Sequence, residues 1–269
     1  MGIVNVTPDS FSDGGRYYAA DAAIAHAERL AKEGADIIDI GGESTRPFSK
    51  GISAQEEIKR VVPVIKEVKK RISLPISIDT TKVKVAKRSL EAGASIINDI
   101  SALTADPKIA DLVKEFKAPI ILMHMKKTPK DMQVAPHYID LISEITNFLK
   151  TRIEYAISRG IPRSMIIADP GIGFGKSFDH NLMIIRNLNK FETLDVPILI
   201  GPSRKAFIRN LLKDEVADDI GTELPEVETG TQAAISASIL KGAHIVRVHN
   251  AANTLSTVKI IDAIKLADL

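Results

Sequence analysis

The sequence predicts an α/β protein that folds as a single-domain (β/α)8 barrel, the TIM-barrel architecture, over residues 1–269. Eight short apolar runs alternate with amphipathic helical patterns, and no shift in composition marks a linker between domains. An open doubly wound sheet is the competing architecture. It is disfavoured because the first run leads into Asn5-Val-Thr-Pro8 and not into a glycine-rich turn.

The strands are predicted from short, continuous runs of apolar and β-branched residues. Such runs are typical of strands that are covered on both faces, as in a parallel barrel. The eight runs are residues 2–6, 36–40, 76–79, 95–100, 119–123, 165–169, 197–201 and 244–248.

Helices are predicted where apolar residues recur at intervals of three and four. The clearest patterns cover residues 21–33, 55–70, 82–92, 138–159 and 229–241. Glycine follows several of these patterns, as expected of a left-handed helix cap, at Gly34, Gly93, Gly160 and Gly242. The longest irregular stretches are residues 8–18, 45–53, 126–137 and 214–226. The first three follow strands directly, so we expect them on the face of the barrel where sites are built.

Composition excludes several classes of protein. The 36 basic and 34 acidic residues nearly balance, and only 4% of residues are aromatic, which argues against a nucleic-acid partner. The absence of cysteine excludes disulfides, thiolate metal sites and a cysteine nucleophile. No apolar run approaches the ~20 residues of a membrane helix and no signal peptide is recognisable, so we expect no membrane partner and a cytoplasmic location.

Polar residues stand at the end of every predicted strand. They are Asn5; Glu43, Thr45 and Arg46; Asp79; Asn98 and Asp99; His124; Asp169; Ser203, Arg204 and Lys205; and Arg247 and His249. Because parallel strands all end at one face of a barrel, these side chains are expected to form a ring there. Any one of them could instead cap a helix or bond to a loop. A whole ring of unpaired polar groups would be costly to bury, and it therefore indicates a binding site.

The residue types in this ring indicate the kind of ligand. Cationic or N–H-donating side chains suit a substrate with several negative charges, such as a diphosphate: Arg46, Lys205, Arg247 and His249. Carboxylates and an amide suit a flat heterocycle with several N–H groups: Asp79, Asn98 and Asp169. The amide oxygen of Asn5 could share Mg²⁺ with phosphate oxygens.

Two motifs have more than one interpretation. Residues 171–177 resemble a phosphate-binding loop, but Pro170 occupies the position where that loop needs glycine. We therefore interpret them as a tight strand-to-helix turn close to a ligand. His124 could either line the site or bond to its neighbours, and both readings stay open.

Most ring residues lie in longer segments that are similar to the signatures of the dihydropteroate synthase family. The first two signatures are MGIVNVTPDSFSDGG at residues 1–15 and DIGGESTRP at residues 39–47. Six shorter segments follow in family order: ISIDT (76–80), INDI (97–100), MHM (123–125), DPGIGFG (169–175), SRK (203–205) and RVH (247–249). The resemblance covers nearly the whole chain, and a chance match over the first fifteen residues can be dismissed.

The resemblance implies a transferase of folate biosynthesis. Such an enzyme condenses 6-hydroxymethyl-7,8-dihydropterin diphosphate with p-aminobenzoate and releases 7,8-dihydropteroate and pyrophosphate. The implied mechanism is dissociative, with Mg²⁺ as cofactor. The resemblance also implies a homodimer formed through late helices, and a target of sulfonamides.

The resemblance implies roles for individual residues as well. The pterin site would comprise Asp79, Asn98, Met123, Asp169, Phe174, Gly201 and Lys205. The diphosphate site would comprise Asn5, Thr45, Arg46, Arg247 and His249, with Asn5 as the metal ligand. The p-aminobenzoate pocket would comprise Phe11, Thr45, Pro47, Phe174 and Lys205. The catalytic residues would be Asp13, Arg46, Asp79 and Lys205.

Two alternative functions share part of this pattern. A pterin-binding methyltransferase that passes a methyl group from methyltetrahydrofolate to a corrinoid protein would need the pterin aspartates and asparagine. It would not need Arg46, His249 or the loop at residues 8–15, all of which are present. A catalytically silent relative that binds pterin is the second alternative.

Overall fold

The computed structural model describes residues 1–6, 16–45, 49, 51–214 and 219–267, with the backbone alone at residues 16–19. Eight parallel strands follow one another within these described ranges. They are β1 (Gly2–Asn5), β2 (Ile38–Gly41), β3 (Ile76–Asp79), β4 (Ile96–Asp99), β5 (Ile120–Met123), β6 (Ile166–Asp169), β7 (Leu199–Ile200) and β8 (Ile245–Val246).

Helices alternate with these strands. In the described part of the chain they are α1 (Arg16–Lys32), α2 (Ala54–Arg71), α3 (Val83–Glu91), α4 (Ile109–Phe116), α5 (Leu141–Ser158), α6 (Phe178–Arg186), α7 (Ala206–Leu212), α8 (Pro225–Leu240) and α9 (Ala251–Lys265). Among the residues described, the 3₁₀ segments Arg163–Met165 and Leu188–Leu194 precede β6 and β7. The four predicted glycine caps have φ between +88° and +115°. Of the helices described, none is long and apolar enough to cross a membrane.

The strands close into a barrel. Strands β1 to β6 form one sheet in sequence order, and β7 pairs with β8. Ala168 N donates to Pro197 O at 2.9 Å, which joins β6 to the segment that leads into β7. Ile3 N donates to Val248 O, and Val248 N to Met1 O, both at 2.9 Å, which joins β8 to β1. The (β/α)8 prediction is therefore confirmed.

Side chains inside the barrel form an apolar floor and leave the opposite end polar. The floor contains Met1, Ile96, Ile121 and Leu199, with Ile37, Ile167 and Ile245 packed against them. Because side chains alternate along a strand, the residue two positions beyond a floor residue also points inward. Asn98 follows Ile96 in this way, so the strands turn from apolar to polar as they approach their carboxyl ends.

Two helices begin earlier than the sequence predicts. The stretch 8–18 was expected to be irregular throughout, but α1 begins at Arg16. The helix expected over residues 229–241 begins at Pro225. Proline suits the first turn of a helix because the N–H that it lacks would have no partner there.

Helix α5 begins later than the predicted span 138–159. Its first residue is Leu141, because the Asp140 side chain accepts the backbone N–H of Ser143 and so caps the helix. Tyr138 therefore lies in the preceding loop, where its hydroxyl reaches the turn before α6.

Candidate active site

The carboxyl ends of the strands surround a narrow cleft. Its lining residues are Asp79, Asn98, Ile100, Met123, Asp169, Ile172, Phe174, Gly201, Lys205 and Arg247. All seven residues assigned to the pterin site line this one cleft, together with Arg247 from the diphosphate set. Ile100 and Ile172 were not predicted, because apolar residues beside a strand end look like ordinary core.

A buried charge network forms one wall of the cleft. Arg247 Nε donates to Asp39 Oδ2 at 2.6 Å, and Arg247 Nη2 donates to Asp79 Oδ2 at 3.1 Å. Asn98 Nδ2 donates to the same Asp39 oxygen at 3.1 Å, and Asp39 is fully buried. Asp39 thus orients two residues of the cleft. The sequence analysis did not single it out, although a carboxylate within a predicted buried strand was the signal.

Burial shifts the pKa values of both carboxyl groups that face the cleft. Burial raises the pKa of Asp79 to about 7, while the adjacent Arg247 opposes the rise. Burial raises the pKa of Asp169 to about 6, against the opposing effects of the Gly171 N–H and of Lys176. Asp169 is therefore largely ionised at neutral pH, whereas Asp79 is poised between its two forms. Such shifts are typical of binding and catalytic sites.

Lys205 places a cation opposite these carboxylates. It precedes α7 as the N-cap residue, and its ammonium lies 4.1 Å from the centroid of the Phe174 ring. Burial lowers the pKa of Lys205 to about 8, and the nearby charge of Arg247 contributes. The ammonium therefore stays protonated at neutral pH and can donate into the cleft beside an aromatic face.

His249 is held in a defined orientation by Ser203. The Ser203 hydroxyl lies 2.9 Å from His249 Nδ1 and accepts the His249 backbone N–H at 3.3 Å. This arrangement lets the hydroxyl donate to Nδ1 and leaves the ring proton on Nε2. Burial lowers the pKa of His249 to about 3, with Arg204 and Arg247 adding to the shift. His249 is therefore a neutral N–H donor in the free protein and not one of the cations.

The glycine-rich segment forms the predicted tight turn between β6 and α6. Gly171, Gly173 and Gly175 have φ values of +73°, +80° and +65°. Gly171 N donates to Asp169 Oδ1 at 2.7 Å, and Phe174 projects into the cleft from the same turn. The turn therefore supplies both a backbone contact to a site carboxylate and an aromatic wall.

Residues 1–249 match the family model of the pterin-binding enzymes. The dihydropteroate synthase of Bacillus subtilis is 43% identical to this chain, over 98% of the chain and 87% of its own length. The chain belongs to the dihydropteroate synthase family. It is therefore an enzyme of the transferase class.

Solved structures of the family share the whole fold. Dihydropteroate synthase from Xanthomonas albilineans with 4-aminobenzoic acid has a TM-score of 0.89 and 43% identity, covering 99% of this chain and 92% of that one. The same enzyme in complex with 7,8-dihydropteroate has a TM-score of 0.86 and 41% identity, covering 99% and 93%.

Two ring residues, Asp99 and His124, point away from the cleft because they stand one position beyond an inward-facing residue. For Asp99 this corrects the sequence prediction. Asp99 follows Asn98, and its carboxylate accepts the backbone N–H groups of the next loop. His124 follows Met123 and accepts a hydrogen bond from Lys176 at Nδ1, so the second of its two readings is correct. A shift of one residue along a strand moves a side chain to the other face.

Two further ring residues fasten loops and do not line the cleft. Glu43 Oε2 pairs with Lys82 at 2.8 Å, and Glu43 Oε1 accepts the Ile52 N–H at 2.7 Å. Arg204 pairs with Glu223 and lies 3.9 Å from Glu228 Oε2. Neither residue is among those that line the cleft.

The remaining predicted site residues lie either at the mouth of the barrel or outside the residues that the structure describes. Asn5 is exposed at the end of β1, and Thr45 is half-exposed after β2, on the same face. Phe11, Asp13, Arg46 and Pro47 lie outside the residues that the structure describes, as do the loop 8–15 and part of the stretch 45–53.

Substituting Gly171 by alanine is expected to lower the free energy of unfolding by about 2–3 kcal/mol. The new Cβ would lie 2.0 Å from the carbonyl oxygen of His124, and φ at Gly171 is +73°. Gly242→Ala is the matched control, because φ there is +100° and no atom lies within 4 Å of the added Cβ. It should cost only the conformational penalty of about 1 kcal/mol. Urea denaturation measures both, and equal losses would contradict the steric account.

Proposed function

We propose that this protein condenses 6-hydroxymethyl-7,8-dihydropterin diphosphate with p-aminobenzoate to give 7,8-dihydropteroate and pyrophosphate. The observation that carries the proposal is the single cleft that gathers Asp79, Asn98, Asp169 and Lys205 at the strand ends. The similarity to the Xanthomonas albilineans enzyme, whose structures contain 4-aminobenzoic acid and 7,8-dihydropteroate, supports it.

The donors and acceptors of the cleft suit a pterin ring. In this proposal Asp169, ionised at neutral pH, accepts from the amino edge of the ring, and Lys205 donates to the ring carbonyl. Asn98 and Asp79 serve the remaining ring nitrogens. Asn98 is fixed for this role by its hydrogen bond to Asp39. Met123, which also lines the cleft, supplies apolar contact.

The diphosphate is proposed to lie towards the barrel mouth. Arg247 lines the cleft there, and His249 offers Nε2–H as a neutral donor. Arg46 and Thr45 join this set by family resemblance. The exposed amide oxygen of Asn5 is a hard ligand and fits a cation that is also held by phosphate oxygens and water. When bound, Mg²⁺ would neutralise charge on the diphosphate.

The proposed reaction begins with loss of pyrophosphate. The bond between the pterin methylene carbon and the diphosphate oxygen breaks, and both electrons leave with pyrophosphate, whose growing charge Arg247 and His249 stabilise. The methylene carbon is left cationic and shares its charge with the dihydropterin ring. The carboxylates of Asp79 and Asp169 face that ring and balance the charge.

The arylamine then completes the reaction. The amino nitrogen of p-aminobenzoate bonds to the methylene carbon and becomes an arylammonium, which then passes its proton to water. Because an arylammonium is acidic, no strong base is required. The described part of the proposed arylamine pocket is formed by the Phe174 ring and the Lys205 ammonium, which lies 4.1 Å from the ring centroid. Phe11, Thr45 and Pro47 complete it by resemblance, and Asp13 and Arg46 are assigned to catalysis on the same basis.

The proposal also includes a homodimer. Exposed apolar side chains on the late helices support it: Leu211 on α7, Leu240 on α8, and Ile260 and Ile264 on α9. Sedimentation of the purified protein would show whether it forms.

The proposed function is tested by product analysis. Purified protein is given the dihydropterin diphosphate, Mg²⁺ and p-aminobenzoate, and dihydropteroate is measured by mass spectrometry. Product that depends on both substrates is expected. Pterin binding without dihydropteroate would contradict the proposal, and a parallel assay with labelled methyltetrahydrofolate and a corrinoid protein would then detect a methyltransferase.

Affinity for 6-hydroxymethyl-7,8-dihydropterin, which has no phosphate to titrate, is expected to be greatest between about pH 6 and about pH 8. Below that window Asp169, with its pKa of about 6, takes up a proton and accepts less well. Above it Lys205, with its pKa of about 8, loses its proton and charge. Calorimetric titration from pH 5 to pH 9 measures this, and Asp169→Asn should remove its share of the acid limb and leave the part that comes from Asp79, with its pKa of about 7. If the dihydropterin affinity of the unsubstituted protein did not change with pH, the assignment of Asp169 and Lys205 to the pterin site would be contradicted.

A further inference from the structure

Lys176 is a buried lysine that none of the steps above uses. Only 3% of its surface is exposed. Its ammonium donates to Phe174 O at 2.9 Å and to His124 O at 3.2 Å, and it lies 3.0 Å from His124 Nδ1. Burial lowers the pKa of His124 to about 2, so the ring is neutral and Nδ1 can accept. Burial lowers the pKa of Lys176 to about 7, while the nearby Asp169 opposes the shift, and the three neutral acceptors match the three N–H bonds of its charged form.

These contacts fasten the turn after β6 to the end of β5. Lys176 follows Phe174 by two residues, and its side chain folds back to the carbonyl of that residue. The same ammonium reaches the backbone of His124, the first residue after β5. The backbone of Phe174 is therefore tied to a strand end of the rigid barrel.

A second support comes from the loop after β5. Gln133 Nε2 donates to Gly173 O at 2.6 Å, 40 residues away along the chain. A Cβ at Gly173 would lie 3.0 Å from Lys205 Cδ, so the turn is in contact with Lys205 as well. The position of this turn therefore sets how the Phe174 ring and the Lys205 ammonium face each other.

We propose that Lys176, supported by Gln133, is a positioning residue for the arylamine subsite: it fixes the turn 171–175 and so the place of the Phe174 ring in the cleft. This inference rests on the proposed function. The carboxylates that face the cleft stand on strands, at the ends of β3 and β6, and only Asp169 also accepts a hydrogen bond from the turn, whereas Phe174 stands wholly on the turn. Loosening the turn should therefore affect the arylamine more than the pterin.

The test is Lys176→Met, in which the new side chain is one atom shorter, fills most of the same volume and lacks the donors. The KM for p-aminobenzoate is expected to rise about tenfold, because small displacements of a positioned group have large kinetic effects. The Kd for the dihydropterin should change at least several times less. Amide hydrogen exchange in residues 171–175 should quicken while the rest of the barrel keeps its protection. The exchange readout does not depend on activity.

Lys70→Met is the control. The Lys70 ammonium pairs with Glu67 on the exposed face of α2, at 3.1 Å, and the residue lies on an element separate from the turn. Its loss should leave the KM for p-aminobenzoate unchanged.

If Lys176→Met fails to fold, Gln133→Leu decides the question, because Gln133 is only half-buried in a loop. A raised KM for p-aminobenzoate in that variant supports the inference. An unchanged KM in a folded variant, or unchanged exchange in the turn, overturns it. Absence of turnover in the unsubstituted protein would instead count against the proposed function, and the exchange experiment would still test the turn.

Discussion

Asp169→Asn is expected to lower affinity for the dihydropterin about 100-fold or more, while the free protein becomes more stable. The loss arises because asparagine presents an N–H₂ group where the pterin edge also presents donors. The Oδ1 atom of asparagine can still accept from Gly171 N, as Asp169 Oδ1 does at 2.7 Å. The turn should therefore keep its shape, so the loss of affinity can be attributed to the contact between residue 169 and the dihydropterin. Asp169→Ala should lose as much affinity and also release the turn.

The gain in stability follows from the pKa of Asp169. Burial raises that pKa from 3.8 to about 6 in the folded protein. A carboxyl group with a raised folded pKa stabilises the fold below its unfolded pKa, and this stabilisation is lost as the pH rises through about 6. At pH 8 the ionised group costs the fold about 1–3 kcal/mol, and asparagine removes that cost.

Calorimetry with the dihydropterin and urea denaturation at pH 8 and pH 4 measure the two effects. The gain in unfolding free energy should be large at pH 8 and small at pH 4. Asp140→Ala, which removes a helix cap remote from the cleft, should leave pterin affinity unchanged. Unaltered affinity in Asp169→Asn would remove Asp169 from the pterin site.

Arg247→Met is expected to lower the free energy of unfolding by about 3–5 kcal/mol near pH 8. Arg247 is the shared partner of Asp39, which is fully buried, and of Asp79. Methionine preserves much of the packing but leaves two neighbouring carboxylates without a cation. The pKa of Asp79, already raised to about 7, should rise further because the opposing charge is gone.

The pH dependence of this effect has a definite sign. Because the folded pKa of Asp79 is raised, its contribution to stability is present at low pH and is lost as the pH rises through about 7. The destabilisation by Arg247→Met should therefore shrink between pH 8 and pH 5. Arg159→Met is the control, since Arg159 and Asp111 form an exposed pair that should contribute little. An equal loss in both variants would contradict the network described.

The barrel and the members of its cleft were predictable because they follow from local pattern. Runs such as residues 76–79 have a length and composition that predict buried strands, and the residue that ends each strand must face the same end of the barrel. The strand ends therefore predict that Asp79, Asn98 and Asp169 lie together.

Contacts that depend on closure of the barrel were not predictable in the same way. Arg247 and Asp39 are separated by 208 residues and meet only because β8 closes against β1. The sequence assigned Arg247 to the diphosphate alone, while the structure also pairs it with two carboxylates. The orientation of His124 was hard to predict for a different reason. A shift of one residue along a strand end decides whether a side chain faces into the barrel or away from it.

Lys176 could not have been predicted as a buried residue. Lysine is rarely buried, and a glycine-rich segment that ends in lysine and serine indicates a phosphate loop or an exposed turn. Its burial depends on three acceptors supplied by two separate elements, and no local pattern encodes that meeting.

The central claim is that the cleft binds a pterin diphosphate and passes its methylene group to an arylamine. The most direct measurement is pyrophosphate release from the dihydropterin diphosphate and Mg²⁺, with and without p-aminobenzoate. We expect sustained release only when p-aminobenzoate is present, with one dihydropteroate formed for each pyrophosphate, and a large loss of release in Asp169→Asn at subsaturating pterin. Sustained release that is indifferent to p-aminobenzoate, or tight pterin binding with no release, would contradict this account.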